Sequence, residues 1–385
     1  MQHVYFDHNA TTPIAPEVLE PVVSCFTETY GNASSIHHFG QAAKQRLEAS
    51  RRHIAALIHA NPAEVVFTGG GTESDNMALF GVVRAAQTRI AKPHVVTTSI
   101  EHPAVLAACT QLETEGVAVT RLPAGHRGAV DPADVHAALR PDTVLVSVMH
   151  ANNETGVIQP IKEIARITKE AGIPLHVDGV QALGKIPVDV KVLGADLYSM
   201  SAHKIYAPKG VGALYIRKSL RLTPLTFGGH HERDRRPGTE NIPGIVGFGA
   251  AAELACKPAA DLERIASLRD RLEQTILDRI PGTGVNGGRS ARVPNTTNIY
   301  FDGIDAEALV IALDLRGFAV STGSACSSGA VTPSHVLTAM GLSAERARAS
   351  VRFSLGASNT ASQVDALLSA LEESVVHLRR ISVHA

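Results

Sequence analysis

Between Val65 and Arg217 the chain repeats one arrangement, a short apolar, β-branched run followed by a polar cluster and then a helix-like stretch. The runs are VVFT, HVVTTSI, TVLVSVM, PLHVDG, LYSMS and GALYIR. Spacing of this kind predicts a mainly parallel sheet covered by helices, the α/β class. Polar chemistry collects behind the runs: GGGTES after the first, EH after the second, HANNETG after the third, an Asp-x-x-Gln set at the fourth and AHK after the fifth. Any one such cluster reads most simply as a turn. Five in succession on one edge point to a site, because ligands of open α/β sheets bind where the loops converge over the strand ends.

The chain has 385 residues, 44% of them hydrophobic, and a net charge of -1, which suits one large or two ordinary domains. Scattered lysines and arginines leave no basic stripe for nucleic acid, and no run of about 18 apolar residues is present to span a membrane. A small-molecule partner is expected. MQHVYFDHNATTP reads as neither a secretory signal nor a transit peptide, so a cytoplasmic location is expected. Past Cys256 the pattern changes. DLERIASLRDRLEQTILDRI is an amphipathic helix, followed by strand-like NTTNIYF, FAVSTGSA and VRFSLG and a closing helix at ASQVDALLSALEESVVHLRR. The expected division is a large domain over 15–255 and a smaller α+β domain over 1–14 and 256–385.

Three segments carry candidate chemistry. GGGTESDN is a glycine-rich turn between strand and helix, where backbone N–H groups and the helix dipole suit a phosphate, although a plain helix cap by Thr72 with Ser74 nearby reads equally well. HVDGVQALGK ends a strand on Asp178, and YSMSAHK ends the next on His203 and Lys204. A lysine at such a place is ordinarily solvated; a Schiff base to a pyridine aldehyde, with an acid on the ring nitrogen, is one reason to hold it in a site. The third is STGSACSSGA around Cys326. The four cysteines (Cys25, Cys109, Cys256, Cys326) are far apart without a CxxC pair, which argues against a disulfide framework and a structural metal site. The adjacent pairs His37/His38 and His230/His231 would point to opposite faces of a strand and are not read as metal ligands.

In order along the chain, YFDHNATTP, GNASSIHHFG, FTGGGTESDN, EHPAVL, MHANNETG, HVDGVQALGK, SAHKIYAPKGVGALYIR, GGHHERDRRPGTEN, STGSACSSGAVTPSHVL and VRFSLG resemble the serial motifs of the pyridoxal-phosphate-dependent cysteine desulfurases of the NifS/IscS group. The APKG and GGHHER…GTEN segments look more like the nitrogen-fixation NifS type. The resemblance implies pyridoxal-phosphate fold type I, with a mainly parallel seven-stranded sheet, and a homodimer. It implies that Lys204 holds the cofactor and shuttles the substrate Cα proton, and that Asp178 pairs with the ring nitrogen. Gln181 and Asn153 would contact the ring oxygen, and His102 would lie on the ring face. The phosphate would be held by Gly71, Thr72, Ser201 and His203, with Thr239 reaching the neighbouring subunit's phosphate. Arg352 would take the substrate carboxylate with Asn32 near it. Cys326, on a mobile arm over about 321–332, would accept sulfur from L-cysteine as a persulfide, release L-alanine and pass the sulfur to a protein such as an iron–sulfur scaffold. The thiol needs assistance in ionising, since its ordinary pKa is about 8.5.

Four positions depart from the family pattern: Ala202 where glycine is usual, Gly179 where alanine is common, Ala33 where proline is usual and His8 where asparagine is common. Ala202 is expected to add a methyl beside the phosphate cradle. The competing readings are an aminotransferase, which has no need of Cys326, a selenocysteine lyase, and a non-enzymatic iron–sulfur scaffold, for which four separated cysteines are a poor ligand set.

Overall fold

Branched valine, isoleucine and threonine side chains fit a pleated, buried surface, and the runs that carry them are the strands. A computed structural model of the chain describes residues 3–256, 260–288, 290–322 and 333–382. The strands are β1 (Val4–Tyr5), β2 (Val65–Thr68), β3 (His94–Thr98), β4 (Ala118–Leu122), β5 (Thr143–Met149), β6 (Leu175–Asp178), β7 (Leu197–Ser201), β8 (Gly212–Ile216), β9 (Thr283–Val285), β10 (Thr296–Phe301), β11 (Phe318–Ala319) and β12 (Ser350–Ser354). Seven of them form one sheet in the order β2-β8-β7-β6-β5-β3-β4, parallel throughout except for β8, which is antiparallel to both neighbours. Strands β2, β3 and β5 to β8 are buried along their whole length, which is why they read as continuous apolar runs. The edge strand β4 is mostly half-buried, and its mixed sequence AVTRL gave no such run.

Helices α1 (Pro16–Thr27), α2 (His38–Leu57), α3 (Gly71–Gln87) and α4 (Pro103–Thr114) cover the sheet together with helix Ile242–Ala255. A second core gathers Ile265, Leu272, Phe301, Phe353 and Leu371, and Phe6 from the N-terminus joins it. Behind this core lies the antiparallel sheet β12-β10-β9, while β1 pairs in parallel with β11. The N-terminal segment then crosses to the large sheet: His8 N–H donates to Ser354 O (3.1 Å) and Thr12 N–H to His203 O (2.9 Å). Residues 7 to 12 therefore lie between the two layers at the carboxyl edge.

Two departures from the family pattern have physical accounts. A methyl on Gly179 would lie 1.9 Å from Tyr198 Cε1, so the glycine makes room for a buried tyrosine whose hydroxyl shares a 2.9 Å hydrogen bond with His150 Nδ1. Ala202 is fully buried in the core of the large sheet, so its methyl packs among apolar side chains.

The free edge of β2 is closed by side chains. Arg51 Nη1 donates to Val65 O (2.9 Å), Glu232 Oε2 accepts from Phe67 N–H (2.8 Å), and the two side chains form a buried bidentate ion pair, Arg51 Nη1 and Nη2 each donating to a Glu232 carboxylate oxygen at 2.7 Å. Glu232, Arg233 and Asp234 all have left-handed backbones (φ 46, 58 and 63), and this pair is what holds Glu232 in that conformation. Removing one partner leaves a buried charge, so Arg51→Met should cost about 3–5 kcal/mol in urea unfolding. Arg51→Met with Glu232→Met should recover part of the loss. A cost under about 1 kcal/mol for the single change would mean that the edge is closed by something else.

Candidate active site

Because β2, β3, β5, β6 and β7 share one direction, their carboxyl ends and the polar clusters behind them meet on one edge. Lys204 stands in a tight turn, Ala202–Lys204, directly after β7. Its Nζ donates to two backbone carbonyls, Asn9 O (2.6 Å) and Ala10 O (2.7 Å). Burial, and then the Arg352 charge, bring its pKa down to about 8, against the pull of Asp7 and Asp178. Asp178 ends β6 and accepts from Val180 N–H (3.0 Å). Burial raises its carboxyl above the ordinary value, while His102, the Val180 N–H and Lys204 oppose the rise.

His102 caps α4: its Nδ1 accepts from Ala104 N–H at 3.1 Å. With that lone pair engaged, the neutral ring carries its proton on Nε2. One side of the imidazole is open to solvent, yet dense protein on the other lowers its basicity, Asp178 resists, and Lys204 and His335 add to the lowering. The peptide before it is held by His335, whose Nε2 donates to Glu101 O at 2.9 Å.

Arg352 reaches the same edge from β12. Its Nη2 donates to Asp7 Oδ1 (2.6 Å) and its Nη1 to Asn153 O (3.0 Å), while its buried Nε has no partner among the described residues. Asn153 Oδ1 is likewise buried and unpartnered. Gln181 Nε2 donates to Asn9 O (3.0 Å), the carbonyl that also accepts from Lys204. His203 Nδ1 meets Thr11 Oγ1 at 3.1 Å, and burial, then Lys204 and Lys209, lower its pKa to about 4.

Gly71 and Thr72 open α3. A methyl on Gly71 would meet Val180 Cγ2 at 2.8 Å and Ser201 Cβ at 3.6 Å, so this helix N-terminus lies close over the ends of β6 and β7. Thr239 is exposed on a loop whose Arg236 pairs with Glu73 of α3 (2.8 Å). Asn32 is exposed in the α1–α2 connection, its Oδ1 taken by Ser34 N–H (2.9 Å), and none of Arg352's hydrogen bonds goes to it. Cys326 and most of its arm lie outside the described residues. Of the other cysteines, Cys25 and Cys109 are core residues, and burial pushes the Cys109 thiol up to about 12. Cys256 is exposed.

Sequence reading passed over a buried polar layer beneath these groups. His176 on β6 bridges Ser147 (2.8 Å) and Ser199 (2.9 Å) on the flanking strands, and Asp75 of α3 lies 3.6 Å from it. Burial and Asp178 push the Asp75 carboxyl well up, and burial raises Glu101 to about 8. Asp7 and Asn9 lie in the quoted motif YFDHNATTP and Lys185 in HVDGVQALGK; their signal was membership of a motif without an assigned atom. Among the described residues no cluster of three or more His, Cys, Asp and Glu could hold a metal ion.

A half-buried amine, a buried acid, an imidazole, an amide oxygen unpartnered among the described residues and a glycine-opened helix N-terminus on one edge fit a phosphorylated pyridine aldehyde, whose ring nitrogen, aldehyde and phosphate need those partners. Such an edge on a mainly parallel sheet defines the class of fold type I pyridoxal-phosphate enzymes. The aminotransferase class-V family model matches residues 4–367. The chain is 47% identical over 383 residues to the cysteine desulfurase of Trichormus azollae, covering 99% of this chain and 95% of that one. Among solved structures, a NifS-like protein superposes with a TM-score of 0.90 at 37% identity, covering 98% of this chain and all of that one. The structure described as SspA in complex with cysteine superposes with a TM-score of 0.82 at 37% identity, over 91% of this chain and 98% of that one. The chain belongs to the class-V aminotransferase family and, within it, to the cysteine desulfurases.

The folded pKa of Lys204, about 8, lies below its ordinary value of 10.5, so between the two the unfolded chain binds the extra proton and stability rises with pH. Below the folded pKa both states are protonated and the slope vanishes. In urea unfolding of the cofactor-free protein, going from about pH 8 to about pH 10 should therefore stabilise the wild type relative to Lys204→Met. Parallel pH dependences would contradict the depressed amine.

Proposed function

We propose that the chain binds pyridoxal phosphate at this edge and converts L-cysteine to L-alanine, leaving the sulfur on Cys326 as a persulfide for a sulfur-accepting protein such as an iron–sulfur scaffold. The observation that carries the reading is the Lys204 amine, half-buried within electrostatic reach of Asp178 and Arg352 and held by no carboxylate among the described residues. An amine near pKa 8 is partly neutral at working pH, the form that attacks a carbonyl and accepts a proton.

Gly71, Thr72, Ser201 and His203 would hold the phosphate, Asp178 the ring nitrogen, Gln181 and Asn153 the ring oxygen, with His102 over the ring face. When bound, the cofactor supplies an electron sink for the carbanion formed at the substrate Cα. Lys204 takes the Cα proton and returns one to carbon. Arg352 takes the substrate carboxylate, and its free buried Nε offers one more donor than Asp7 and Asn153 consume. The Cys326 thiolate attacks the substrate sulfur; the S–S bond forms as the Cβ–S bond breaks, and the bonding pair stays on carbon, which is protonated and leaves in alanine. Cys25 and Cys109 are unsuited to this step, since both are buried and the Cys109 thiol titrates only near 12.

A homodimer suits the surface. Leu19, Val23, Phe26 and Tyr30 line one exposed face of α1 and the turn after it, Tyr30 stacks on Phe39 (5.5 Å), and Thr239 stands exposed for a neighbouring site.

With pyridoxal phosphate and L-cysteine, Cys326→Ala should keep the bound-cofactor absorbance and lose at least about 100-fold in alanine and sulfide release, while Cys256→Ala keeps both. Unchanged turnover in Cys326→Ala would overturn the persulfide step. Arg352→Ala should raise the KM for L-cysteine about 10- to 100-fold, the worth of a charge-assisted hydrogen bond; an unchanged KM would remove Arg352 from the carboxylate site.

A further inference from the structure

Lys185 lies four residues after Gln181 in the turn that follows β6, and it is only 8% exposed. A lysine this deep ordinarily has a carboxylate partner, yet among the described residues none pairs with it. Its Nζ donates instead to two neutral amide oxygens, Gln181 Oε1 at 2.6 Å and Asn9 Oδ1 at 2.8 Å. The charges that act on it, Lys204 and Arg352, are of its own sign, and after burial they push its basicity further below the ordinary value. A neutral amine has two N–H donors, and two acceptors are what it meets.

Which end of each amide is oxygen follows without reference to Lys185. The other end of Gln181 faces Asn9 O (3.0 Å) and the other end of Asn9 faces Asn153 O (3.2 Å). Backbone carbonyls only accept, so those ends are the NH2 groups and the ends turned to Lys185 are oxygens. Without Lys185 two buried amide oxygens lose a donor; Asn9 Oδ1 keeps Asn295 Nδ2 at 3.1 Å. Asn9 in turn supplies the carbonyl that holds Lys204 Nζ at 2.6 Å.

We propose that Lys185 is a positioning residue for the desulfurase reaction: by donating to Gln181 and Asn9 it keeps Gln181 Nε2 on the Asn9 carbonyl and that carbonyl against Lys204 Nζ. This rests on the cofactor-dependent function proposed above. A leucine or methionine would fill the same space, so what the amine adds is two directed hydrogen bonds.

A double-mutant cycle tests it, with wild type, Lys185→Met, Gln181→Ala and the double variant read by the Kd of the cofactor-free protein for pyridoxal phosphate and by kcat and KM for L-cysteine. Lys185→Met should weaken cofactor binding about 5-fold and lower kcat about 10-fold with KM within about 2-fold, and in the Gln181→Ala background cost no more than about a third as much. Additive effects on both readouts, or a Lys185→Met protein with wild-type constants, would overturn the proposal. Should Lys185→Met not fold, Gln181→Met with and without Lys185→Met replaces it, since that double variant buries an apolar pair. Constants equal within about 3-fold support the proposal, and a further drop of about 10-fold overturns it. A wild type that fails to bind pyridoxal phosphate sinks the parent reading instead.

Discussion

The amine of Lys204 is withdrawn from water and held by the carbonyls of Asn9 and Ala10, and much of the edge is arranged around that choice. A carboxylate partner would have kept the lysine charged; carbonyls at 2.6 and 2.7 Å orient it while leaving its basicity to be set by burial and Arg352. The N-terminal segment must therefore be delivered to the end of β7. Pairing of β1 with β11, Phe6 in the second core and the bonds from His8 and Asn9 to Ser354 deliver it. Arg352 comes along on β12, so its guanidinium and the Lys204 cradle are positioned by one layer.

Charge is sorted by place rather than by depth, since Asp178 and Arg352 are both buried. Asp75, Glu101 and Asp178 lie buried under the edge, each raised above the ordinary carboxyl range by burial, and Asp178 adds to the rise of the other two. The basic side chains of Lys204, Lys185 and Arg352 lie around the segment from Asp7 to Ala10. With Asp178 surrounded by other buried acids, His102 and Lys204 are the groups that favour its ionised form, besides the Val180 N–H. An acid in that position suits a partner that is itself a protonated base, which a pyridinium nitrogen is.

The strands of the large sheet were legible because full burial on both faces writes an unbroken apolar run: VVFT, TVLVSVM and LYSMS are β2, β5 and β7 residue for residue. The half-buried edge strand β4 was not, since its partly solvated AVTRL carries no such run. The polar clusters marked the edge, and the long family match named Lys204, Asp178 and His102. What stayed hidden were groups whose role depends on tertiary neighbours. Lys185 reads as one more lysine until Gln181 and Asn9, 176 residues away in sequence, are seen against it. Gly179 reads as a departure until Tyr198 is found filling the space of the missing methyl. Ala202, expected to add a methyl beside the phosphate cradle, packs that methyl among the apolar side chains of the large sheet's core.

Half-buried Lys204 and buried Lys185 stand at one edge, and the assignment of the first as the cofactor-holding amine is the centre of the proposed chemistry. Borohydride reduction of the protein loaded with pyridoxal phosphate, followed by peptide mass mapping, distinguishes them. The pyridoxyl group is predicted on Lys204 alone; recovery of the label on Lys185, or on a surface lysine with Lys204 unmodified, would contradict it.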